Sequence, residues 1–233
     1  MEKLRSFLSK YFYFIMSLLI AAVVIYGFSH TIDHNLFHPN PIPPVILWCH
    51  GIAFSGWVVF FIVQSALVRT HNVKIHRKLG WFGLALGIAM ILLGLTTAVS
   101  MARFHLQYGG GFGDPVAFLI VPFYDMLMFA VFFALAIWYR KMPERHRRFI
   151  LIATCILTAA GWGRFPMMPD SWFDSGVDLL VLLGATRDLI VTKRIHPIYL
   201  WALPILIVTQ IIEIHINIHQ PAAWMAIAHW IIR

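Results

Sequence analysis

A chain of 233 residues in which 60% are hydrophobic and only 12% are charged departs far from soluble domains, where about 25% are charged, so the composition excludes a soluble globular protein. The formal net charge of +8 does not indicate nucleic-acid binding, because the cationic residues flank long apolar runs instead of lining one face. Anionic lipid headgroups are the expected partners of these cations.

The apolar runs predict a single all-α membrane domain over residues 1–233. A helix needs about 20 mostly apolar residues to cross a bilayer, and the runs are too long for the strands of a barrel. We therefore predict a polytopic bundle of seven transmembrane helices. Their predicted positions are residues 11–29, 45–68, 79–101, 115–139, 149–163, 175–192 and 197–218.

The distribution of cationic residues predicts the orientation of these helices. Fifteen of the eighteen Lys and Arg residues lie in four short stretches, which are residues 3–10, 69–78, 140–148 and 187–194. Because cytoplasmic loops carry the excess of Lys and Arg, we expect the N-terminus in the cytoplasm and the C-terminus outside. The expected location is the inner (cytoplasmic) membrane of a bacterium.

The last part of the chain contains the weakest predicted span. Residues 175–192 hold only a short uninterrupted apolar run, and a protein of six spans is the alternative. Without this span Arg187 and Arg194 would lie outside, so the charge distribution favours seven spans. The tail, residues 221–233, is too short to cross, and its apolar residues recur at helical spacing. It is predicted to be a short helix in the outer interface.

Two groups of residues at the predicted outer ends of helices have the spacing of metal ligands. His30, Asp33 and His34 lie at i, i+3 and i+4 at the end of the first span, and His215 and His219 lie at i and i+4 in the seventh. This spacing places side chains on one helix face. Imidazole and carboxylate groups together suit zinc, iron or copper. The alternative is that both groups are only hydrogen-bonded helix ends.

Three ionisable residues are expected inside the bilayer, where such residues indicate a functional site. They are His50 in the second span, Asp125 in the fourth and Asp178 in the sixth. Because buried carboxylates must be paired or neutralised, Asp125 and Asp178 are expected to face one another, a histidine or Arg164. His50 is a further candidate metal ligand. The alternative for His50 and Asp125 is a structural hydrogen bond between helices.

The order of polar residues in the middle of the chain resembles that of bacterial multi-pass membrane families of unknown function. The pattern comprises His50, Trp57, Gln64, the motif His76-Arg77-x-x-Gly80, the pair His146-Arg147 and then Arg164. The resemblance covers the second to fifth spans and implies a shared hairpin architecture, with no activity attached. Since the third and fifth spans both open on His-Arg, the two hairpins are predicted to be copies of one unit.

Two further resemblances imply cofactors. The chain is similar to cytochrome b561-type proteins, which implies b-type haem between His50 and His215. It is also similar to the seven-helix zinc hydrolases of the adiponectin-receptor and ceramidase type, which have a histidine on helix two and an HxxxH pair on helix seven. His50, His215 and His219 match that pattern in kind, whereas Ile46 stands where that family has a serine.

Three functions stay open from the sequence, and whether the protein is an enzyme stays open with them. The first is an outward-facing His/Asp pocket that binds a transition metal; if it is catalytic, Asp125 or Asp178 is the base and a metal-bound water attacks a lipid ester or amide. The second is electron transfer by haem b, linked to a quinone or quinol. The third is a cofactor-free structural or assembly subunit of a larger membrane complex.

Overall fold

The computed structural model describes residues 2–169 and 172–233, and within these ranges the chain is helical and contains no strand. The all-α prediction is thereby confirmed for these residues. The helices are α1 (Glu2–Ser29), α2 (Ile46–Arg69), α3 (Val73–Tyr108), α4 (Ile120–Trp138), α5 (Pro143–Ile156), α6 (Ala159–Trp162), α7 (Phe173–Thr192), α8 (Pro197–His219) and α9 (Ala222–Ile232). A π-helix (Asp33–Phe37) follows α1, and a 3-10 turn (Ala117–Leu119) precedes α4.

In the described part of the chain, five helices are long and apolar enough to cross a bilayer, namely α1, α2, α3, α8, and α4 together with its 3-10 turn. They give the chain the character of a multi-pass helical membrane protein. The predicted fifth span is divided between α5 and α6. At the break, the Thr158 hydroxyl donates to the Cys155 carbonyl oxygen at 2.6 Å, and side-chain bonds of this kind compete with the helical ladder.

The basic turns lie together at one end of the bundle, which we call the basic end. Arg69, at the end of α2, lies 3.9 Å from the ring centroid of Tyr11 in α1. Arg5 in α1 donates to the carbonyl oxygen of Val191 at 2.6 Å and so brings the end of α7 to the same place. The end of the bundle where α1 finishes and α7 begins is called the opposite end.

The α2–α3 and α4–α5 hairpins each place a histidine at the same position of their second helix. His76 is the fourth residue of α3 and His146 the fourth residue of α5, and their ring centroids are 6.3 Å apart. Gln64, buried in α2, donates to the carbonyl oxygen of His76 at 3.3 Å. The His146 ring nitrogen Nδ1 lies 2.8 Å from the Ala136 carbonyl oxygen, which links α5 back to α4 in its own hairpin.

Close packing between helices depends on glycine at several places. A Cβ atom on Gly27 would collide with the backbone of Gly161, so α1 and α6 approach one another this closely only because residue 27 lacks a side chain. A Cβ on Gly87 of α3 would enter the ring of Phe133. That ring stacks on Phe129 and meets Trp57 edge to face, with ring centroids 5.4 Å and 5.6 Å away. The core between α2, α3 and α4 is therefore aromatic.

Two of the charged residues of α7, Arg187 and Asp188, are paired at the basic end. Asp188 is completely buried and accepts two hydrogen bonds from Arg148 of α5, at 2.7 and 2.8 Å, and one from Arg187 at 2.9 Å. Arg148, only 2% exposed, also donates to Glu144 at 2.9 Å. A forked guanidinium matches a carboxylate in this geometry, so α5 neutralises the carboxylate that α7 buries.

The C-terminal helix α9 packs across the opposite end. The indole nitrogen of Trp224 donates to the Ala117 carbonyl oxygen at 3.1 Å, and Arg103 of α3 donates to the carbonyl oxygen of Ile232 at 2.7 Å. Ala228 is buried against this part of α3 and the 3-10 turn. With 11 residues, α9 is a short apolar helix, as the sequence predicts, and it is too short to span.

Asp188→Ala is expected to destabilise the protein by about 3–5 kcal/mol, because it leaves Arg148 and Arg187 buried without their carboxylate. Glu144→Ala removes the other carboxylate bound to Arg148, but Glu144 is 60% exposed, so a loss of about 0–1 kcal/mol is expected. Thermal unfolding of the detergent-purified protein measures both changes. Equal losses in the two variants would contradict this assignment.

Candidate functional site

The predicted ligands at the end of α1 lie in an exposed segment. His30 places Nδ1 2.8 Å from the Tyr26 carbonyl oxygen, and its ring packs edge to face on the Tyr26 ring. Asp33 pairs with His38 at 2.8 Å, with both side chains more than two-thirds exposed. His34 is exposed as well. The three predicted ligands therefore have separate surroundings, two of them with partners of their own.

The predicted ligands of α8 are exposed and contact one another. The rings of His215 and His219 stack with centroids 4.0 Å apart, and the His219 ring nitrogen lies 3.0 Å from the His215 carbonyl oxygen. Glu213, two residues before His215, is 2% exposed and faces the bundle. The histidine pair thus occupies a different face of α8 from the buried polar residues.

His50 is half-buried in the first turns of α2. Its ring stacks on Phe54, with centroids 4.0 Å apart, and its Nδ1 atom is buried with no hydrogen-bond partner among the described residues. Arg164 is the charged neighbour of this ring. The Arg164 side chain itself donates to Thr31 at 3.2 Å and lies over the Phe28 ring, so it binds the end of α1 and not a carboxylate.

Across residues 2–169 and 172–233, no group of three or more His, Cys, Asp or Glu side chains has an arrangement that could hold a metal ion. The structure accordingly gives no support to a histidine cluster at the opposite end. The predicted metal ligands His30, Asp33, His34, His50, His215 and His219 are distributed over three separate places.

Four acidic side chains do come together, and we call them the carboxyl cluster: Asp125 of α4, Asp174 and Asp178 of α7, and Glu213 of α8. Asp174 and Glu213 are 4% and 2% exposed, and their carboxyl groups lie within hydrogen-bonding reach of one another. Asp125 is within electrostatic range of both, and Asp178 is within electrostatic range of Asp174. The two aspartates predicted as catalytic, Asp125 and Asp178, therefore share Asp174 as an acidic neighbour.

The contact between Asp174 and Glu213 requires that one of the two carboxyl groups carries a proton. Neither Glu213 oxygen, nor the Asp174 Oδ2 atom, has a conventional hydrogen-bond donor in the described part of the chain. Two ionised carboxylates in contact repel one another, so a hydrogen bond between them needs a proton on one. The pair is thus arranged to hold a proton between two helices.

Neutral polar groups surround the carboxyl cluster. With its amide oriented to donate, Gln210 reaches Asp178 Oδ2 at 3.0 Å and the Leu206 carbonyl oxygen at 3.2 Å. The Tyr124 hydroxyl lies 3.0 Å from the Thr209 hydroxyl. Among the described residues, no Lys or Arg forms a salt bridge with the cluster, since Arg148 and Arg187 serve Asp188 at the other end.

Local packing positions α7 and α8 for this contact. A Cβ on Gly176 would enter the indole ring of Trp162, so α6 and the first turns of α7 are in direct contact. Asp174 lies in the first turn of α7, where the helix dipole favours an acidic residue. Gln210 and Glu213 lie at i and i+3 on the buried face of α8.

Sequence reasoning did not single out Asp174 and Glu213 as site residues. One signal was available: Asp174 and Asp178 are at i and i+4, which places two carboxyls on one face of α7. Glu213 shares a helical face with Gln210. The adjacent HxxxH pair was favoured over it, because that spacing is a familiar pattern of metal ligands.

Comparison of the chain with protein-family models, with curated proteins and with solved structures finds no match. The predicted family resemblances therefore stay predictions, and the function is argued from the geometry of this chain.

Glu213→Gln is expected to remove a pH dependence of stability. The wild type should become less stable as the pH rises, because losing the shared proton leaves two carboxylates in contact, whereas a glutamine amide donates to Asp174 at every pH. At alkaline pH the variant should be more stable by about 1–3 kcal/mol, the cost of an unmade buried hydrogen bond. Thermal unfolding over a pH series measures this difference.

Asp114→Asn is the matched control for this experiment. Asp114 is exposed at the same end, and Asn keeps the side-chain oxygen that accepts from the amide of Val116. It should leave the pH profile unchanged. A wild-type profile that is flat, or that rises with pH, would refute the shared proton.

Proposed function

We propose that the protein is a seven-helix membrane protein whose carboxyl cluster exchanges protons with the non-cytoplasmic side. In this topology α5 with α6 and α7 supply the two spans beyond the five apolar helices. The basic end faces the cytoplasm, as the excess of Lys and Arg there favours. The N-terminus is then inside, the carboxyl cluster lies in the outer half, and α9 lies in the outer interface.

The observation that carries the proposal is the contact between Asp174 and Glu213 without a cationic partner among the described residues. Carboxyl groups are expensive inside a bilayer and mark proton or ion pathways there. A purely structural acid would be expected to pair with a cation, as Asp188 does in this protein. The pair that binds a proton instead is suited to proton transfer.

The exposure of the carboxyl cluster supports a route for the proton. Asp125 and Asp178 are half-buried, whereas Asp174 and Glu213 are buried. A proton that reaches Asp178 or Asp125 would pass to the buried pair through contacts within the cluster. Protonation of the Asp174–Glu213 pair removes a negative charge from the protein interior. It therefore changes the interaction between α7 and α8, on which the two residues lie.

The test measures proton flux in proteoliposomes that enclose a pH-sensitive dye, driven by an imposed membrane potential. The wild type is expected to carry flux, and Asp174→Asn and Glu213→Gln are each expected to abolish it, because an amide cannot exchange a proton. Asp114→Asn should retain it. Flux that is equal in all four proteins, or absent from correctly folded wild type, would refute the proposal.

Transition-metal binding is the second candidate, and the contact of His215 with His219 is the observation in its favour. Two stacked imidazoles at i and i+4 can provide two ligands for zinc, iron or copper. The remaining ligands would have to come from a rearrangement or from another molecule. In the catalytic form of this hypothesis, Asp125 or Asp178 is the base for hydrolysis of a lipid.

Metal analysis of purified protein tests this candidate. If the hypothesis is right, the wild type holds stoichiometric metal that is lost in His215→Ala and His50→Ala and kept in His229→Ala, a change on α9. Equal, substoichiometric metal in all samples would eliminate it. A visible spectrum of the same sample detects haem b through its Soret band, and co-purifying subunits would indicate a larger complex.

A further inference from the structure

The basic end contains more buried hydrogen-bond donors than the described chain satisfies. Four Arg and Tyr donor atoms there are buried without a partner among the described residues, namely Arg147 Nε, Arg187 Nε, Tyr13 Oη and Tyr199 Oη, and so are His76 Nδ1 and the acceptor Gln64 Oε1. Buried polar groups are almost always hydrogen-bonded, so a concentration of unpaired donors needs an explanation.

These donors lie around one place between α1, α5, α7 and α8. The guanidinium carbons of Arg147 and Arg187 are 5.1 Å and 5.6 Å from the centroid of the Tyr13 ring. Tyr199 is 2% exposed, packs against Gly184 of α7, and is within electrostatic range of Tyr13 and Arg148. Two of the four donors therefore belong to side chains that are almost completely buried, since Arg187 is 3% exposed.

The local charge is also unbalanced. Three guanidinium groups, those of Arg147, Arg148 and Arg187, meet two carboxylates, those of Glu144 and Asp188, which leaves a surplus of one positive charge. Partial burial alone would raise the pKa of the Glu144 carboxyl, but the hydrogen bond from Arg148 and the charge of Arg147 outweigh it, and this pKa lies below its ordinary value. Both carboxylates are already in salt bridges with guanidinium groups.

The existing pairs do not use these donors. Arg148 directs Nε and Nη2 to Asp188 and Nη1 to Glu144, so its hydrogen-bonding capacity is largely engaged. Arg187 reaches Asp188 only through Nη1, and Arg147 reaches Glu144 only through Nη2. A buried water could accept some of the remaining hydrogen bonds, but it would leave the surplus charge unneutralised.

An open groove lies beside this place at the basic end. It has a volume of about 600 Å³ and runs between α1 and α7. Ser9 lies one turn of α1 from Tyr13, and Val191 lies one turn of α7 from Arg187, so the groove ends about one helical turn from two of the unpaired donors. The residues that line it are Glu2, Arg5, Ser6, Ser9, Val191 and Thr192.

We propose that this place is a binding site for a phosphate-bearing anion. Phosphate oxygens accept several hydrogen bonds at once and are the preferred partners of guanidinium groups. One negative charge would balance the surplus, and the four donors would gain acceptors. At the cytoplasmic surface the phosphate comes either from an anionic phospholipid headgroup or from a small soluble phosphate. The proposal is independent of the carboxyl cluster.

The test uses the full-length protein in detergent and the variants Tyr13→Phe and Tyr199→Phe, which remove only hydroxyl groups. Thermal unfolding is followed during titration with phosphatidylglycerol, with phosphatidylcholine and with inorganic phosphate. Phosphatidylglycerol or phosphate should raise the melting temperature of the wild type. Each variant should require a concentration about tenfold higher, which is the loss of one hydrogen bond to a charged group.

Tyr26→Phe is the matched control, because its hydroxyl-bearing ring is half exposed at the opposite end. It should titrate like the wild type. Stabilisation by phosphatidylglycerol alone identifies the lipid headgroup, and stabilisation by inorganic phosphate identifies a soluble anion.

Three outcomes would overturn the proposal. In the first, no probe stabilises the wild type. In the second, the probes stabilise the wild type and both variants equally. In the third, phosphatidylcholine and phosphatidylglycerol have equal effects, and the variants behave like the wild type. In the absence of ligand, Tyr13→Phe should unfold at the wild-type temperature, since its hydroxyl has no partner to lose. Arg147→Gln is a second variant that weakens binding, at a side chain exposed enough to tolerate change.

Discussion

A bilayer interior does not solvate charge, so each ionisable group placed there must be satisfied by another part of the protein. This constraint acts most strongly on α7, which carries acidic residues in its first two turns and Arg187 with Asp188 toward its other end. Hydropathy alone does not mark such a helix as a membrane span. Its charged residues are nevertheless buried in the protein, because α5 supplies Arg148 at the basic end and α8 supplies Gln210 and Glu213 at the opposite end.

The two ends of the bundle meet the constraint in different ways. At the basic end opposite charges pair, and donors are left over. At the opposite end like charges meet, and acceptors are left over within the described chain. The surplus charge at each end is opposite in sign to the species that it is suited to bind: anionic phosphate where guanidinium groups dominate, and protons where carboxyl groups dominate. Both proposed functions come from this asymmetry, and it is produced by the same helix.

The histidines illustrate why spacing on one helix is a weak guide to a shared site. His215 and His219 are on one face, as the spacing predicts, but that face is exposed while Glu213 faces the bundle. His30 and His50 likewise have their own neighbours in separate surroundings. A pattern within a helix determines which side chains are adjacent, and it does not determine what the face contacts. The site roles of Asp125 and Asp178 stay predictions, and they rest on the argument that an acid within an apolar run must find a partner inside the protein.

Hydropathy and the placement of Lys and Arg are summed over a segment and need no knowledge of neighbouring helices. For this reason the sequence by itself determined that the chain is helical, where each long helix lies, and that the basic turns belong together. The pairing of Arg148 with Asp188 and the contact of Asp174 with Glu213 were decided only by tertiary structure. Each depends on the rotation and depth of one helix relative to another, which are set by close packing between residues distant in the chain, such as Gly27 against Gly161.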